Sequence, residues 1–96
     1  MLLGRVVGTC VATQKDEKLQ GLTLLVVQQT DSSGKSIGGV VVAVDSVGAG
    51  VDEVVLFASG SSARQTAMTK DRPVDAVIMA IVDTVEVNNE VTFQKE

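Results

Sequence analysis

Histidine is absent from these 96 residues and cysteine occurs once, at Cys10. Ser-His and Cys-His nucleophilic pairs and imidazole metal sites are therefore unavailable. Any chemistry has to come from carboxylates, serines, a few cations and glycine-rich backbone. Asp45, Asp75 and Asp83 each sit at or near an apolar segment, and carboxylates so placed act as acid–base sets when their environments push their pKa values apart. No nucleophile, metal ligand or oxyanion device accompanies them, so pairing with backbone amides or with Arg64 is the reading the residues favour. Gly60-Ser61-Ser62 ahead of a short helix, with Arg64 close by, has the composition of an anion cradle. The same serines can instead satisfy the helix's own free amides while Arg64 meets a carboxylate, and this second use is preferred. Gly34-Lys35-Ser36 looks like the end of a phosphate-binding loop, but Gln29 stands where its first glycine belongs and the strand–loop–helix frame is missing. Gly48-Ala49-Gly50 imitates the opening of a dinucleotide fingerprint, yet Glu53 occupies the third glycine's place and no helix follows. Neither is retained. Cys10 cannot form an internal disulfide, suits a reducing cytoplasm and reads as a small buried hydrophobe rather than a reactive thiol.

The elements that hold these residues are mostly strands. Leu2 to Thr13 alternates, with Arg5, Val7, Thr9 and Val11 on one face and Gly4, Val6, Gly8, Cys10 and Ala12 on the other. That second face is small throughout, as where a strand bends over a crowded barrel interior. After a charged connector, Lys15 to Gln20, the second strand spans Leu22 to Gln29. Asp31-Ser32-Ser33-Gly34 forms a turn whose Asp and Ser side chains bond their own backbone. Gly38-Gly39 leads into a third strand, Val40 to Asp45, apolar on both faces and so expected to be covered on both. Past the Gly48–Gly50 corner, whose two glycines suit positive φ or close backbone approach, Val54 to Ala58 makes the fourth strand. Ser62-Ala63-Arg64-Gln65 matches a capping box and predicts one or two helical turns from Ala63 to about Met68. A polar loop, Thr69 to Pro73, returns the chain to a long fifth strand from Ala76 to Val87. Asn88-Asn89 can supply the positive φ of a hairpin turn, leaving Glu90 to Gln94 as an edge strand. The outline is mainly β: a five-stranded OB-like barrel with one short helix between the fourth and fifth strands and a C-terminal edge strand.

Ninety-six residues allow one domain. Valine alone accounts for 19 of them against two aromatics, Phe57 and Phe93. Either the core is simply valine-rich or some strand faces are completed by other chains, and the second is preferred for so small a domain. The net charge of −4 and the lack of a basic, aromatic-bearing stripe argue against nucleic acid. No apolar run approaches the roughly 20 residues that span a bilayer, and Met1–Val7 reads as a strand start rather than a signal peptide.

Taken together, several stretches resemble the EutN/CcmL family of bacterial microcompartment vertex proteins. They are Val42-Ala43-Val44-Asp45 followed by Val47-Gly48-Ala49-Gly50, Gly60-Ser61-Ser62-Ala63-Arg64, Pro73-Val74-Asp75 and Ile81-Val82-Asp83. Gly8, Thr13 and Lys15 fit the same pattern, as do Gly21, Leu24 and Leu25. The likeness runs in register from about residue 1 to 85, with 86–96 as a C-terminal hairpin strand of the same single vertex domain. It implies a non-enzymatic shell component without cofactor or metal, an OB-like barrel assembling as a homopentamer that caps fivefold vertices and packs against hexameric tiles of a shell in the cytoplasm. It also implies that Asp45, Gly48, Ala49, Gly50, Ser61, Ser62, Arg64, Asp75 and Asp83 serve subunit contacts or the shape of the chain near them. Asp52 stands where many members have glycine, and Ala80 replaces a usual glycine before Ile81. The resemblance leans toward a catabolic compartment of the ethanolamine or propanediol kind over a carboxysome.

Two other functions compete. An OB barrel can bind nucleic acid or oligosaccharide, which the acidity and the missing aromatics oppose. A small enzyme would need Asp45, Asp75 and Asp83 to converge with Arg64 in one pocket.

Overall fold

A computed structural model describes all of residues 1–96. Seven strands form: β1 (Leu2–Cys10), β2 (Leu24–Thr30), β3 (Ser36–Asp45), β4 (Val54–Ser59), β5 (Ala76–Ile81), β6 (Thr84–Val87) and β7 (Glu90–Gln94). The first five close a barrel in the order β1-β2-β3-β5-β4, with β4 hydrogen-bonded back to β1, while β6 and β7 make a separate ribbon. This is the expected OB-type barrel. All its pairings are antiparallel except β3 with β5, which is parallel and limited to Val44–Val77 and Asp45–Ile78.

The interior is filled by Val6, Leu25, Val27, Ala43, Val55, Phe57, Ala76 and Ile78. A second cluster, Val44, Ala58, Ala63, Val74 and Val77, lies on another face and is flanked by Leu19, Leu22 and Leu24. Ile78 and Val77, adjacent on β5, thus belong to different clusters, so this strand is covered on both sides. Gly4 makes room for the largest core side chain: a Cβ there would lie 2.5 Å from Val27 Cγ1 and 2.9 Å from Phe57 Cε1. The crowded-interior reading therefore holds at Gly4. It fails at Gly8, which faces open space, and at Cys10, which is only half-buried. The cause is a bulge between Val6 and Gly8, which shifts the alternation so that the second half of β1 no longer follows the first.

Four further expectations are corrected. β1 ends at Cys10 rather than Thr13. The segment after β4 is a 3-10 turn over Gly60–Arg64 rather than a helix from Ala63 to Met68. Ser62 does not cap it; its Oγ donates to the Ser59 carbonyl at 2.6 Å. Farther on, Thr69 Oγ1 donates to the Ala63 carbonyl at 2.6 Å and sits beside Thr66 Oγ1, so hydroxyls take the place of helical backbone bonds. The long fifth strand divides at Val82-Asp83 into β5 and β6. Val82 N still bonds the Val54 carbonyl of the barrel edge, whereas the Asp83 carbonyl accepts from Lys95 N of the ribbon. A change of partner leaves no mark on an alternating sequence.

The fourth correction concerns β3. Within one chain Val40, Val41 and Val42 are 57%, 39% and 46% exposed, and only Ala43 and Val44 are buried. β3 starts earlier than expected, at Ser36, and runs through a bulge at Gly38, where φ is +62°. Gln28 Nε2 lies 3.0 to 3.2 Å from the carbonyls of Ile37, Gly38 and Gly39 and holds that bulge. Because β5 pairs only with the end of β3, the valines before Ala43 lie along an open strand edge and are only partly covered by their own chain.

Candidate assembly surface

The Asp45–Glu53 corner follows directly from β3. Asp45 Oδ1 accepts from the amides of Val47, Gly48 and Ala49 at 3.1, 3.1 and 3.2 Å, so one carboxylate satisfies three amides of the bend. Ser46 Oγ donates to the Ile78 carbonyl, and Ala49 packs against the barrel core. Gly48 has φ +78°, a region only glycine enters freely. Gly50 does not; its φ is not positive, and the second left-handed residue of the corner is Asp52 at +76°. The expectation for Gly50 is corrected accordingly. The glycine that the resemblance would have at position 52 corresponds to a left-handed backbone position, which this chain fills with an aspartate, a residue that tolerates it better than most. Asp52 N donates to the Val6 carbonyl and Val6 N to that of Glu53, while Arg5 Nη1 donates to the Asp52 carbonyl at 2.9 Å. Gly50 N reaches Glu53 Oε1 at 2.6 Å, and Lys95 Nζ reaches Glu53 Oε2 at 2.7 Å. The Lys95 ammonium, then the Gly50 amide, hold the Glu53 carboxyl below its ordinary range, and Glu53 in turn raises Lys95.

The Gly60–Arg64 turn is the second motif. Gly60, at φ +63°, donates its amide to the Asp75 carbonyl at 2.8 Å, and buried Ala63 anchors the turn in the second cluster. Arg64 Nη1 donates to the Val74 carbonyl at 3.1 Å. Within the chain Arg64 meets no carboxylate, since the one ion pair is Lys95 with Glu53. Ser61 and Ser62 are exposed, as are the Asp75 and Asp83 side chains.

The three aspartates are not brought together. Asp75 and Asp83 flank β5 at opposite ends, with the six-residue strand, about 20 Å long, between them, and Asp45 is committed to its corner. An acid–base set is not assembled. Sequence reasoning missed the Lys95–Glu53 link, whose partners stand 42 residues apart, and the Gln28 amide that holds the bulge; neither leaves a local signal.

No cluster of metal-ligating side chains occurs, and no helix is long and apolar enough to cross a membrane. A rigid barrel with its carboxylates spent or scattered, and with one strand of valines only partly covered on both faces, is the form of an assembly subunit. The comparisons agree. The sequence pattern of the family described as "Ethanolamine utilisation protein EutN/carboxysome" matches residues 1–83. The carboxysome shell vertex protein CcmL of Gloeobacter violaceus is 47% identical over 100% of this chain and 96% of its own length. Its structure superposes with a TM-score of 0.94, covering 99% of this chain and 98% of that one. The pentameric microcompartment shell protein GrpN from Rhodospirillum rubrum is 46% identical, with a TM-score of 0.83 over 91% of this chain and 99% of that one. The microcompartment shell vertex protein EutN of Salmonella typhimurium is 42% identical over 99% of this chain and 96% of its length. This chain belongs to the EutN/CcmL family of microcompartment shell vertex proteins, which are structural proteins and not enzymes. Carboxysome and catabolic relatives stand within a few per cent of one another, so the lean toward a catabolic compartment gains no support from similarity.

Proposed function

We propose that this chain, acting as a single vertex domain over residues 1–96, assembles as a homopentamer that closes fivefold vertices of a microcompartment shell and packs against hexameric shell tiles. Hexagons tile a plane and cannot close it without fivefold positions, and a ring of five is a heterologous assembly in which one patch meets a different patch of the next copy. The observation that carries the reading is β3: Val40, Val41 and Val42 expose both faces of one strand, and a small domain rarely leaves such a surface in water. In this reading the Gly48–Gly50 corner and the Ser62–Arg64 turn lie at or near the copy–copy contacts, and Asp45, Ser61, Asp75 and Asp83 serve those contacts or the shape of the chain near them. The pentameric description of GrpN supports the same stoichiometry. Sedimentation equilibrium is expected to return a mass near that of five 10.0 kDa chains, and co-expression with hexameric shell proteins to give closed shells that become elongated or leaky when this chain is omitted. A monomer at high concentration, without affinity for tiles, overturns the proposal.

A further inference from the structure

A cleft of about 390 Å³ opens on the loop between β4 and β5, lined by Ser61, Arg64, Gln65, Thr66, Ala67 and Lys70. It is chemically unlike the rest of an acidic molecule: two cations and a set of polar side chains surround it, and no carboxylate lines it. The Arg64 guanidinium is oriented by its Nη1 bond to the Val74 carbonyl, which leaves its other N–H groups uncommitted. The side chains of Ser61, Gln65 and Lys70 make no hydrogen bond to the rest of the chain, and neither cation has a carboxylate within ion-pair distance. The loop itself is held by the Thr69 bond to the Ala63 carbonyl and by the Thr66–Thr69 pair, so the donors are carried on a fixed frame. We propose that this cleft is a binding site for a small oxyanion, a phosphate or a carboxylate, held by Arg64 and Lys70 with Ser61 and Gln65 supplying neutral donors. Planar guanidinium and mobile ammonium groups together suit an oxygen-bearing anion.

The site does not depend on the β3 contact, but Ser61 and Arg64 belong to the turn set at or near the copy–copy contacts, so it is tested on the assembled protein. Its test is an amide NMR titration of the assembled protein with inorganic phosphate, the ionic strength held constant with chloride. Saturable shifts centred on Ser61, Gln65 and Thr66 are expected. Lys70→Gln, at an exposed position where loss of fold is not expected, should weaken binding by about tenfold, as loss of one charge-assisted hydrogen bond does. Lys70→Glu, which places a like charge beside the anion, should abolish it, with the sedimentation mass unchanged. Shifts that do not saturate, or that persist in Lys70→Glu, overturn the site. So does a parent protein whose Ser61, Gln65 and Thr66 amides ignore phosphate, because the two cations would then serve a neighbouring chain's carboxylate.

Discussion

Lys95 Nζ donates to Glu53 Oε2 at 2.7 Å, joining the end of the C-terminal ribbon to the corner that closes the barrel. It is the only ion pair in the chain, and Thr92 Oγ1 on the Ser32 carbonyl is the ribbon's other side-chain tie to the barrel. A two-stranded ribbon has little stability of its own, so these ties set how often it opens. Glu53 is held below its ordinary 4.5, so its contribution is complete above that value and is lost as pH falls through the lowered one. Lys95 is raised above its ordinary 10.5, so its contribution is complete below that value and is lost as pH rises through the raised one. Lys95→Ala should speed amide exchange in Thr84–Gln94 by a few-fold at neutral pH and leave the barrel strands unchanged. Acidification well below pH 4.5 should reproduce the same pattern in the parent protein. Exchange that responds equally in the barrel and the ribbon would refute the link.

The glycines of the corner are not equivalent. Gly48 occupies positive φ and Gly50 does not. Gly48→Val should destabilise the corner by about 1–3 kcal/mol, the usual cost of a branched residue in that region. At Gly50 a Cβ would meet only Glu53 Oε1, at 3.3 Å, a side-chain end able to shift. Urea denaturation of the two variants should rank Gly48→Val clearly below Gly50→Val, and the reverse order would contradict the corner described.

Gly4 tests the packing of the barrel. Its absent Cβ would lie within 3 Å of both Val27 and Phe57, so Gly4→Ala should cost about 1–3 kcal/mol by overpacking. Pairing Gly4→Ala with Val27→Ala should recover part of the loss, measurable as coupling in a double-mutant cycle. Strict additivity would mean that the two positions do not meet.

The barrel strands were legible because their alternation and their turn residues agree. Asn88 and Asn89 both take positive φ, +53° and +66°, as a tight hairpin demands. Asp31 Oδ1 accepts from Ser33 N, Ser33 Oγ and Lys35 N, as its turn residues suggest, and the Ser33 bonds lead those that lower its pKa. What failed was whatever depends on a partner distant in sequence. The Val6–Gly8 bulge is set by pairing with β2, and the break at Val82-Asp83 by the passage from barrel to ribbon. Ser62-x-x-Gln65 satisfied a capping pattern, but Ser62 bonded back to Ser59. Of the nine residues singled out for assembly, Asp45, Gly48 and Ala49 have an evident local task in shaping the corner. Ser61, Asp75 and Asp83 are exposed and make no side-chain hydrogen bond within the chain, so their use depends on what lies outside it.

β3 supplies the most direct test of assembly. Val40 is more exposed than its two neighbours and contributes nothing to either buried cluster. Val40→Glu should therefore leave the barrel of a single chain intact. In a closed ring the same carboxylate would be placed unpaired against apolar surface, where a buried charge costs several kcal/mol. Sedimentation should show the assembly shifted toward monomer by at least about a hundredfold in dissociation constant, since each 1.4 kcal/mol is tenfold. Far-ultraviolet circular dichroism should remain that of the parent. Val40→Thr, nearly the same shape without the charge, should retain most of the assembly. If Val40→Glu sediments as the parent does, β3 lies outside the contact and the ring must close through another face.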